Sequence, residues 1–341
     1  MELVTLSGPG SSAAAPVDPG CEALAADGAV VRLRPVGPSD ADALHALMAR
    51  TSDRSLYLRF FGFSRTSAEG YVDRLVRPAG KDHGVLVALR GEVLVGVAGY
   101  ELVSSEEAEV ALLVEDTHQG EGIGTLLLEH LASRARRNGV LRFIADTLPQ
   151  NHRMLQVFDR SGLERGHTLR SGVVDIGLVT TLDETALDAS DERERLAGLN
   201  SLAPLFGPRS VAVIGAGRAP GGVGHEVVRN LLRGDFCGPV FPINPYAATI
   251  AGLPAYTSLG AVGQPVDLAV VAVPAAAVDA VVEDCGLNGV RVVVVLTAYP
   301  PELGDSDAGP SRRSLLRVAR RHGIRVVGPN CLGVVNTDPH V

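Results

Sequence analysis

Two glycine-dense turns carry the residue types best suited to holding an anion. Gln119-Gly120-Glu121-Gly122-Ile123-Gly124 follows the apolar run Glu109-Val110-Ala111-Leu112-Leu113-Val114. It leads into Thr125 to Arg137, where apolar residues recur at helical spacing and the end is basic. A strand, a glycine turn and a helix start together form a phosphate-type site. The first helical N–H groups lack partners, and the helix dipole adds about half a positive charge there. Glycines at 120, 122 and 124 let backbone approach an anion with no Cβ in the way. Taken alone, such a turn reads equally as a phosphate loop or as a plain structural turn. The second turn, Gly215-Ala216-Gly217, directly follows Val211-Ala212-Val213-Ile214, and Arg218-Ala219-Pro220-Gly221-Gly222-Val223-Gly224 leads into the next helical stretch.

The elements that must position these turns form two different patterns. Residues 1–27 are rich in Gly, Ala, Ser and Pro without periodicity and read as a disordered leader. Val30 to Val36 reads as a strand, and Pro38-Ser39-Asp40 opens a helix with Ser39 or Asp40 as cap. Strands follow at His83 to Leu89 and Val93 to Val103 around the turn Arg90-Gly91-Glu92, then at Glu109 to Val114 and Leu141 to Thr147. A helix at Asn151 and strands at Glu164 to Leu169 and Val173 to Leu182 close the unit. The chain is thus α/β overall. Its first domain, 28–182, is an α+β unit with a mixed, mostly antiparallel sheet and helices on both faces. Residues 183–201, with Asp-Glu-Arg-Glu-Arg and few apolar side chains, read as a solvated, partly helical linker. From 202 to 341 short β-rich runs alternate with helical stretches, the signature of a Rossmann-like, doubly wound parallel sheet. A nicotinamide dinucleotide site usually has an acid at the tip of the second strand for the ribose hydroxyls. Here that tip is Asn244-Pro245, and Asp235 precedes the strand, so this cofactor is disfavoured.

Composition bounds the chemistry. At 341 residues there is room for two cores, with 46% hydrophobic and 21% charged residues as in soluble globular proteins. No apolar run reaches the roughly 18 residues of a membrane span, and no secretory signal pattern opens the chain. Cys21, Cys237, Cys285 and Cys331 lack metal-ligand spacing, which argues against a metal site or disulfide frame and fits a cytoplasmic location. A net charge of −8 argues against nucleic acid and suits a basic partner. Lys81 is the only lysine. Either the protein avoids modifying itself, or the abundance of Ala, Gly, Val and Arg reflects codon bias.

The Gln119-x-x-Gly122-x-Gly124 turn, placed after its strand, resembles the acetyl-CoA pyrophosphate loop of the GNAT acetyltransferases. Asn151-x-x-Met154-x-x-x-Phe158-x-x-x-Gly162-Leu163 resembles the following helix of that family, whose asparagine commonly touches the CoA arm. Ser55-Leu56-Tyr57-Leu58-Arg59-Phe60-Phe61-Gly62 is similar to a stretch of bacterial protein lysine acetyltransferases. The resemblance implies acetyl-CoA as co-substrate. It places Leu112, Leu113 and Val114 along the pantetheine arm and thioester, and Gln119, Gly120, Glu121, Gly122, Ile123, Gly124 and Thr125 around the pyrophosphate. Asn151 is the further contact. It also makes Glu109 the general base, at the start of the strand before the loop. A lysine amine, with a reference pKa near 10.4, must shed a proton at neutral pH at a cost of about 4–5 kcal/mol, which a positioned base helps overcome. Glu115 would stand beside the phosphates, and His118 reads as a surface histidine. Phe158 stands where many of these enzymes have a tyrosine that protonates the leaving thiolate; Tyr57 and Tyr71 are possible substitutes.

Residues 202–341 resemble the CoA-binding domain of NDP-forming acyl-CoA synthetases. The matching segments are Pro208 to Ala216, Gly238-Pro239-Val240, Asn244-Pro245, Val271 to Pro274 and Gly328-Pro329-Asn330-Cys331-Leu332-Gly333. This implies CoA or acyl-CoA bound by Gly215, Ala216, Gly217, Asn244, Pro274 and Asn330. The sequence holds neither the phosphohistidine context nor the nucleotide region of that family, and His322 and His340 do not supply it, so binding rather than thioester synthesis is expected. The resulting expectation is a cytosolic protein lysine Nε-acetyltransferase with a CoA-sensing or docking domain. Its partner would be a lysine-bearing protein, with acyl-CoA synthetases as a typical class. A small-molecule amine acetyltransferase and a non-catalytic CoA-sensing regulator are the alternatives.

Overall fold

The computed structural model describes residues 20–61, 65–163, 165–170, 172–181, 183–299 and 311–337. The leader up to residue 19, Gly62, Glu164, Leu182 and His340 lie outside them. The first unit runs β1 (Cys21–Leu24), β2 (Val30–Pro35), α1 (Ala41–Arg50), α2 (Asp53–Phe60), α3 (Arg65–Leu75), β3 (His83–Arg90), β4 (Val93–Leu102) and β5 (Glu107–Val114). It continues with α4 (Ile123–Arg137), β6 (Arg142–Thr147), α5 (His152–Arg160), β7 (Arg165–Arg170) and β8 (Val173–Val179). These strands form one eight-stranded sheet in the order β1-β2-β3-β4-β5-β6-β8-β7. The β5–β6 pair is parallel and the others are antiparallel. One sheet face packs on α4 and α5 through Leu127, Leu128, Leu131, Phe143 and Phe158; the other packs on α1, α2 and α3 through Leu44, Leu47, Leu56 and Val72.

Two boundaries differ from expectation. Part of the supposed leader, Cys21 to Leu24, is the edge strand β1, paired to Val30–Leu33 around a turn at Asp27-Gly28 where Gly28 has φ of +82°. Asp-Gly is a hairpin signal that the low-complexity composition conceals. The linker is a continuous 23-residue helix, α6 (Glu184–Phe206), which runs past the expected boundary at 202. Asp183 caps it by accepting from Ala186 N at 2.8 Å.

The second unit comprises β9 (Val211–Ile214), α7 (Val223–Arg233), β10 (Val240–Ile243), the short pair β11 (Thr249–Ile250) and β12 (Leu253–Pro254), β13 (Leu268–Val271), α8 (Ala275–Leu287), β14 (Val292–Val295), α9 (Arg312–His322) and β15 (Arg325–Val327). Its five-stranded sheet has the order β10-β9-β13-β14-β15 and is parallel throughout. The strands are nearly all apolar because helices cover both faces. The strand order reverses direction between β9 and β13. That switch point opens a crevice at the carboxyl edge of the sheet.

Contacts join the two units along the β3–β4 turn and the β1–β2 turn. Arg321 pairs with Glu92 at 3.1 Å and with Glu283 at 3.2 Å. Arg320 pairs with Glu22 at 2.9 Å, Arg291 donates to Asp27 O at 3.2 Å, and Asn200 donates to Ala26 O at 2.7 Å. A Cβ on Gly91 would lie 1.9 Å from Arg321 O, so only glycine admits this approach.

Candidate functional site

β5 and β6 share register only at Glu107↔Arg142, Ala108↔Phe143 and Glu109↔Ile144. Beyond Glu109, β5 stays paired to β4 as far as Val114, and β6 stays paired to β8 as far as Thr147. The two strands therefore splay, leaving the Val110–Val114 edge of β5 without a strand partner among the described residues. Such an edge presents backbone donors and acceptors to an extended ligand. At the far end of β6 the buried Thr147 Oγ1 also has no hydrogen-bond partner.

The Gln119–Thr125 loop closes the wide end of this opening. Gly120 and Gly122 adopt φ of +88° and +83°, which a side-chain-bearing residue there would resist. Among the described residues, the backbone N–H groups of Gly120, Glu121, Gly122, Ile123, Gly124 and Thr125 have no acceptor; the first helical bond runs from Leu126 N to Gly122 O. A Cβ added at Gly120 would meet nothing within 4 Å, so space above the loop is open. This donor set fits a pyrophosphate. Charge at the loop is otherwise neutralised. Glu115 is buried rather than facing a phosphate, because Arg50 Nε donates to its Oε2 at 3.0 Å. Glu121 accepts from Arg90 at 2.7 Å, and His118 lies 3.1 Å from the same carboxylate oxygen. His118 is thus a half-buried member of this network rather than a simple surface histidine.

Two residues expected to bind ligand, Gln119 and Asn151, also make hydrogen bonds within the fold. Gln119 donates to Val114 O at 2.8 Å and accepts from the Arg153 guanidinium. Asn151 caps α5, its Oδ1 accepting from Met154 N at 3.2 Å. Asp116 accepts from Ser52 N at 2.8 Å and Ser55 Oγ at 2.7 Å, tying α2 to the loop entrance. Burial works to raise the Asp116 pKa, but these serine hydrogen bonds hold it below the usual carboxylate value.

Glu109 stands at the narrow end of the splay, exposed, with Glu101 as its β4 partner. It lines a cavity of about 220 Å³ together with Ala111, Glu101, Tyr71, Arg59 and Arg74. Tyr71 shares this cavity, whereas Tyr57 is exposed and Phe158 is buried in the core. Asp146 and Asp175 face each other across β6 and β8. Burial pushes the Asp146 carboxyl up, and the charge and hydrogen bond of Asp175 and the charge of Glu109 add to this. Glu109 thus belongs to an acidic surface that suits an approaching ammonium. Sequence reasoning singled out Glu109 and the loop and met Arg59 only within a motif, but did not reach Arg74 or the Asp146–Asp175 pair, whose juxtaposition depends on elements distant in the chain.

In the second unit Gly215, Asn244, Pro274 and Gly328 follow β9, β10, β13 and β15, so all lie at the carboxyl edge of one parallel sheet. Gly215 has φ of +87°, and a Cβ there would lie 2.5 Å from Ala272 O. Gly217 has no heavy atom within 4 Å of a built Cβ, and the Val223, Gly224 and His225 N–H groups have no acceptor among the described residues. Asn244 donates to Ala216 O at 2.7 Å and accepts from Tyr246 N at 2.8 Å, so its amide braces the loop. Asn330, at φ of +58°, donates its backbone N–H to Thr297 O at 3.0 Å. These open donors fit a phosphate group. Among the described residues no cluster of His, Cys, Asp or Glu could hold a metal, and no helix is long and apolar enough to cross a membrane.

Comparison with known proteins finds a family for each of the two units. Residues 31–164 match the family model for the acetyltransferase (GNAT) domain, and residues 209–337 match that for the CoA binding domain. The ADP-forming acetate–CoA ligase II of Archaeoglobus fulgidus is 37% identical over 175 residues, 51% of this chain and 24% of that protein. The ADP-forming acetate–CoA ligase of Methanocaldococcus jannaschii is 42% identical over 130 residues, 38% of this chain and 18% of that protein. The chain thus spans a quarter or less of the length of these relatives. The crystal structure of the GNAT domain of S. lividans PAT is 32% identical, covers 47% of this chain and 96% of that one, and superposes with a TM-score of 0.43.

Proposed function

We propose that this chain, a GNAT acetyltransferase domain joined to a CoA-binding domain, is a protein lysine Nε-acetyltransferase whose second domain senses CoA or acyl-CoA. The observation that carries the reading is the placement of Glu109 at the narrow end of the β5–β6 splay, opposite the open N–H groups of the Gly120–Thr125 loop. A CoA thioester with its pyrophosphate on that loop would run along the free edge of β5. Leu112, Leu113 and Val114 backbone groups would then hold its arm, with the acyl carbon near Glu109. Bound there, the thioester supplies an activated acyl carbon.

The chain's own residues do the rest. Glu109 takes a proton from the acceptor ammonium, and the acidic surface of Glu101, Asp146 and Asp175 favours its approach. Ordering both reactants removes a large entropic barrier, and backbone donors on β5 stabilise charge on the carbonyl oxygen. Phe158 is buried in the core and has no acidic proton to give, so Tyr71 is the hydroxyl we assign to assist the leaving thiolate from the acceptor cavity.

Incubating purified protein with radiolabelled acetyl-CoA and a cell lysate, then mapping the labelled sites, tests the reading. Label on lysine side chains of discrete proteins, acyl-CoA synthetases among the expected targets, supports it. Label confined to small amines or to protein N-termini overturns it.

A further inference from the structure

We propose that Arg59 and Arg74 grip a carboxylate carried by the acceptor beside its reacting amine. Both arginines line the same cavity as Glu109. Several other arginines of this unit are neutralised: Arg34 by Asp40, Arg50 by Glu115, Arg77 by Glu101, and Arg90 by Asp27 and Glu121. Arg59 and Arg74 have no ion-pair partner among the described residues. Glu101, in the same cavity, pairs with Arg77 and with neither of them.

These guanidinium groups are also held in place. Arg59 lies 5.0 Å from the Phe60 ring centroid and 5.2 Å from that of Tyr71, and donates to Tyr71 Oη at 3.1 Å. Its Nε has no hydrogen-bond partner. Arg74 lies 5.8 Å from the same Tyr71 ring. The two rings stand edge to face at 81°, which fixes the shelf beneath the guanidinium groups. A planar, pre-oriented guanidinium is matched to a carboxylate.

The cavity is therefore electrically divided. Its strand side carries Glu109 and Glu101, and its helix side carries two uncompensated cations. A simple ammonium needs only the strand side and is repelled by the other. An acceptor bearing both an amine and a nearby carboxylate satisfies both. The CoA phosphates do not answer to these arginines, because the Gly120–Thr125 loop lies past the opposite end of β5 from Glu109.

The choice of peptide probe rests on the lysine reading above, and the test separates the two. The full chain is assayed with acetyl-CoA on lysine peptides carrying Asp or Glu next to the lysine or two places away. The same peptides with Asn or Gln serve as comparison, beside free amino acids and their amides. The expected result is a preference for the carboxylate peptide of about tenfold or more in kcat/KM, as for a hydrogen-bonded charge pair. That ratio falls toward one in Arg74→Gln, a change at an exposed residue, and is kept at least in part in Arg74→Lys. Lysine peptides acetylated with no carboxylate preference overturn the proposal and leave the lysine function standing. Inert peptides with free amino acids preferred over their amides uphold the carboxylate grip and overturn the lysine function. Equal rates on amino acids and their amides, with inert peptides, overturn both.

Discussion

Glu109 is the residue on which the proposed chemistry turns. Glu109→Gln keeps the shape and the hydrogen-bonding capacity but removes the base, so kcat is expected to fall at least about 100-fold near neutral pH. The acetyl-CoA KM should stay within a few-fold, because Glu109 lies at the opposite end of β5 from the loop. Steady-state kinetics at saturating acceptor measures both, and activity within a few-fold of the parent would falsify the assignment. Glu109 was legible because residue type and distance from a glycine loop lie within one stretch of sequence. Asp146 and Asp175 were not, since they meet only through the β6–β8 register. Arg59 was visible within a motif, but its lack of an acidic partner is a property of the folded cavity. Gln119 and Asn244 show the converse: their places beside the glycine turns were readable, whereas their hydrogen bonds to Val114 O and Ala216 O were not.

At the scale of elements, the site is made by where pairing stops. Strand existence was readable from apolar runs and turn residues, and most of the strands predicted from the sequence recur within a few residues of the expected ends. The β5–β6 splay was not, because nothing in either strand alone records where their shared register ends. The hairpin at Asp27-Gly28 was hidden by a leader-like composition, and α6 by its charged surface. Gly122→Glu places a carboxylate in the cradle at a left-handed position. It should abolish acetyl-CoA-dependent transfer while far-ultraviolet circular dichroism stays near that of the parent; retained transfer would place the phosphate site elsewhere. α4, which begins at this loop, also carries a pH-dependent tie. Burial pushes the Glu129 carboxyl up to about 7, while Arg193 of α6 pulls it the other way. Between about pH 4.5 and about 7 the folded protein keeps a proton that the unfolded chain releases. Stability from this group is therefore fully present below the lower value and lost as pH rises through the upper, by on the order of 3 kcal/mol at most. Glu129→Gln should flatten the dependence of urea-unfolding stability on pH across that window. An unchanged slope would mean that Glu129 ionises normally in the fold.

The whole molecule joins the two proposed CoA sites through a short physical path. Arg90 bridges Glu121 of the Gly120–Thr125 loop and Asp27 of the β1–β2 turn, and Ala26 N donates to Glu121 O at 2.7 Å. That turn is contacted by Arg291 and by Asn200 of α6, while the β3–β4 turn beside Arg90 meets α9 through the Arg321–Glu92 pair. A change in the second domain on binding CoA therefore has a route to the loop, provided that the two states differ in these contacts. Gly217→Asp tests both the site and the coupling. Gly217 has open space around its Cβ position, so the substitution leaves packing intact while placing a negative charge among N–H groups that fit a phosphate. Because the proposal gives the first domain a CoA site of its own, the binding measurement belongs in the full chain carrying Gly122→Glu. Calorimetry there should find one remaining CoA site, tighter for CoA than for NAD, and adding Gly217→Asp should remove it. Persistence of that site would move the ligand away from the Gly215–Gly224 loop, and tighter binding of NAD would overturn the ligand itself. With the first site intact, Gly217→Asp alone should change the dependence of the acetylation rate on the ratio of CoA to acetyl-CoA. An unaltered dependence would assign the second domain to docking and leave the Arg90 network as a purely structural brace.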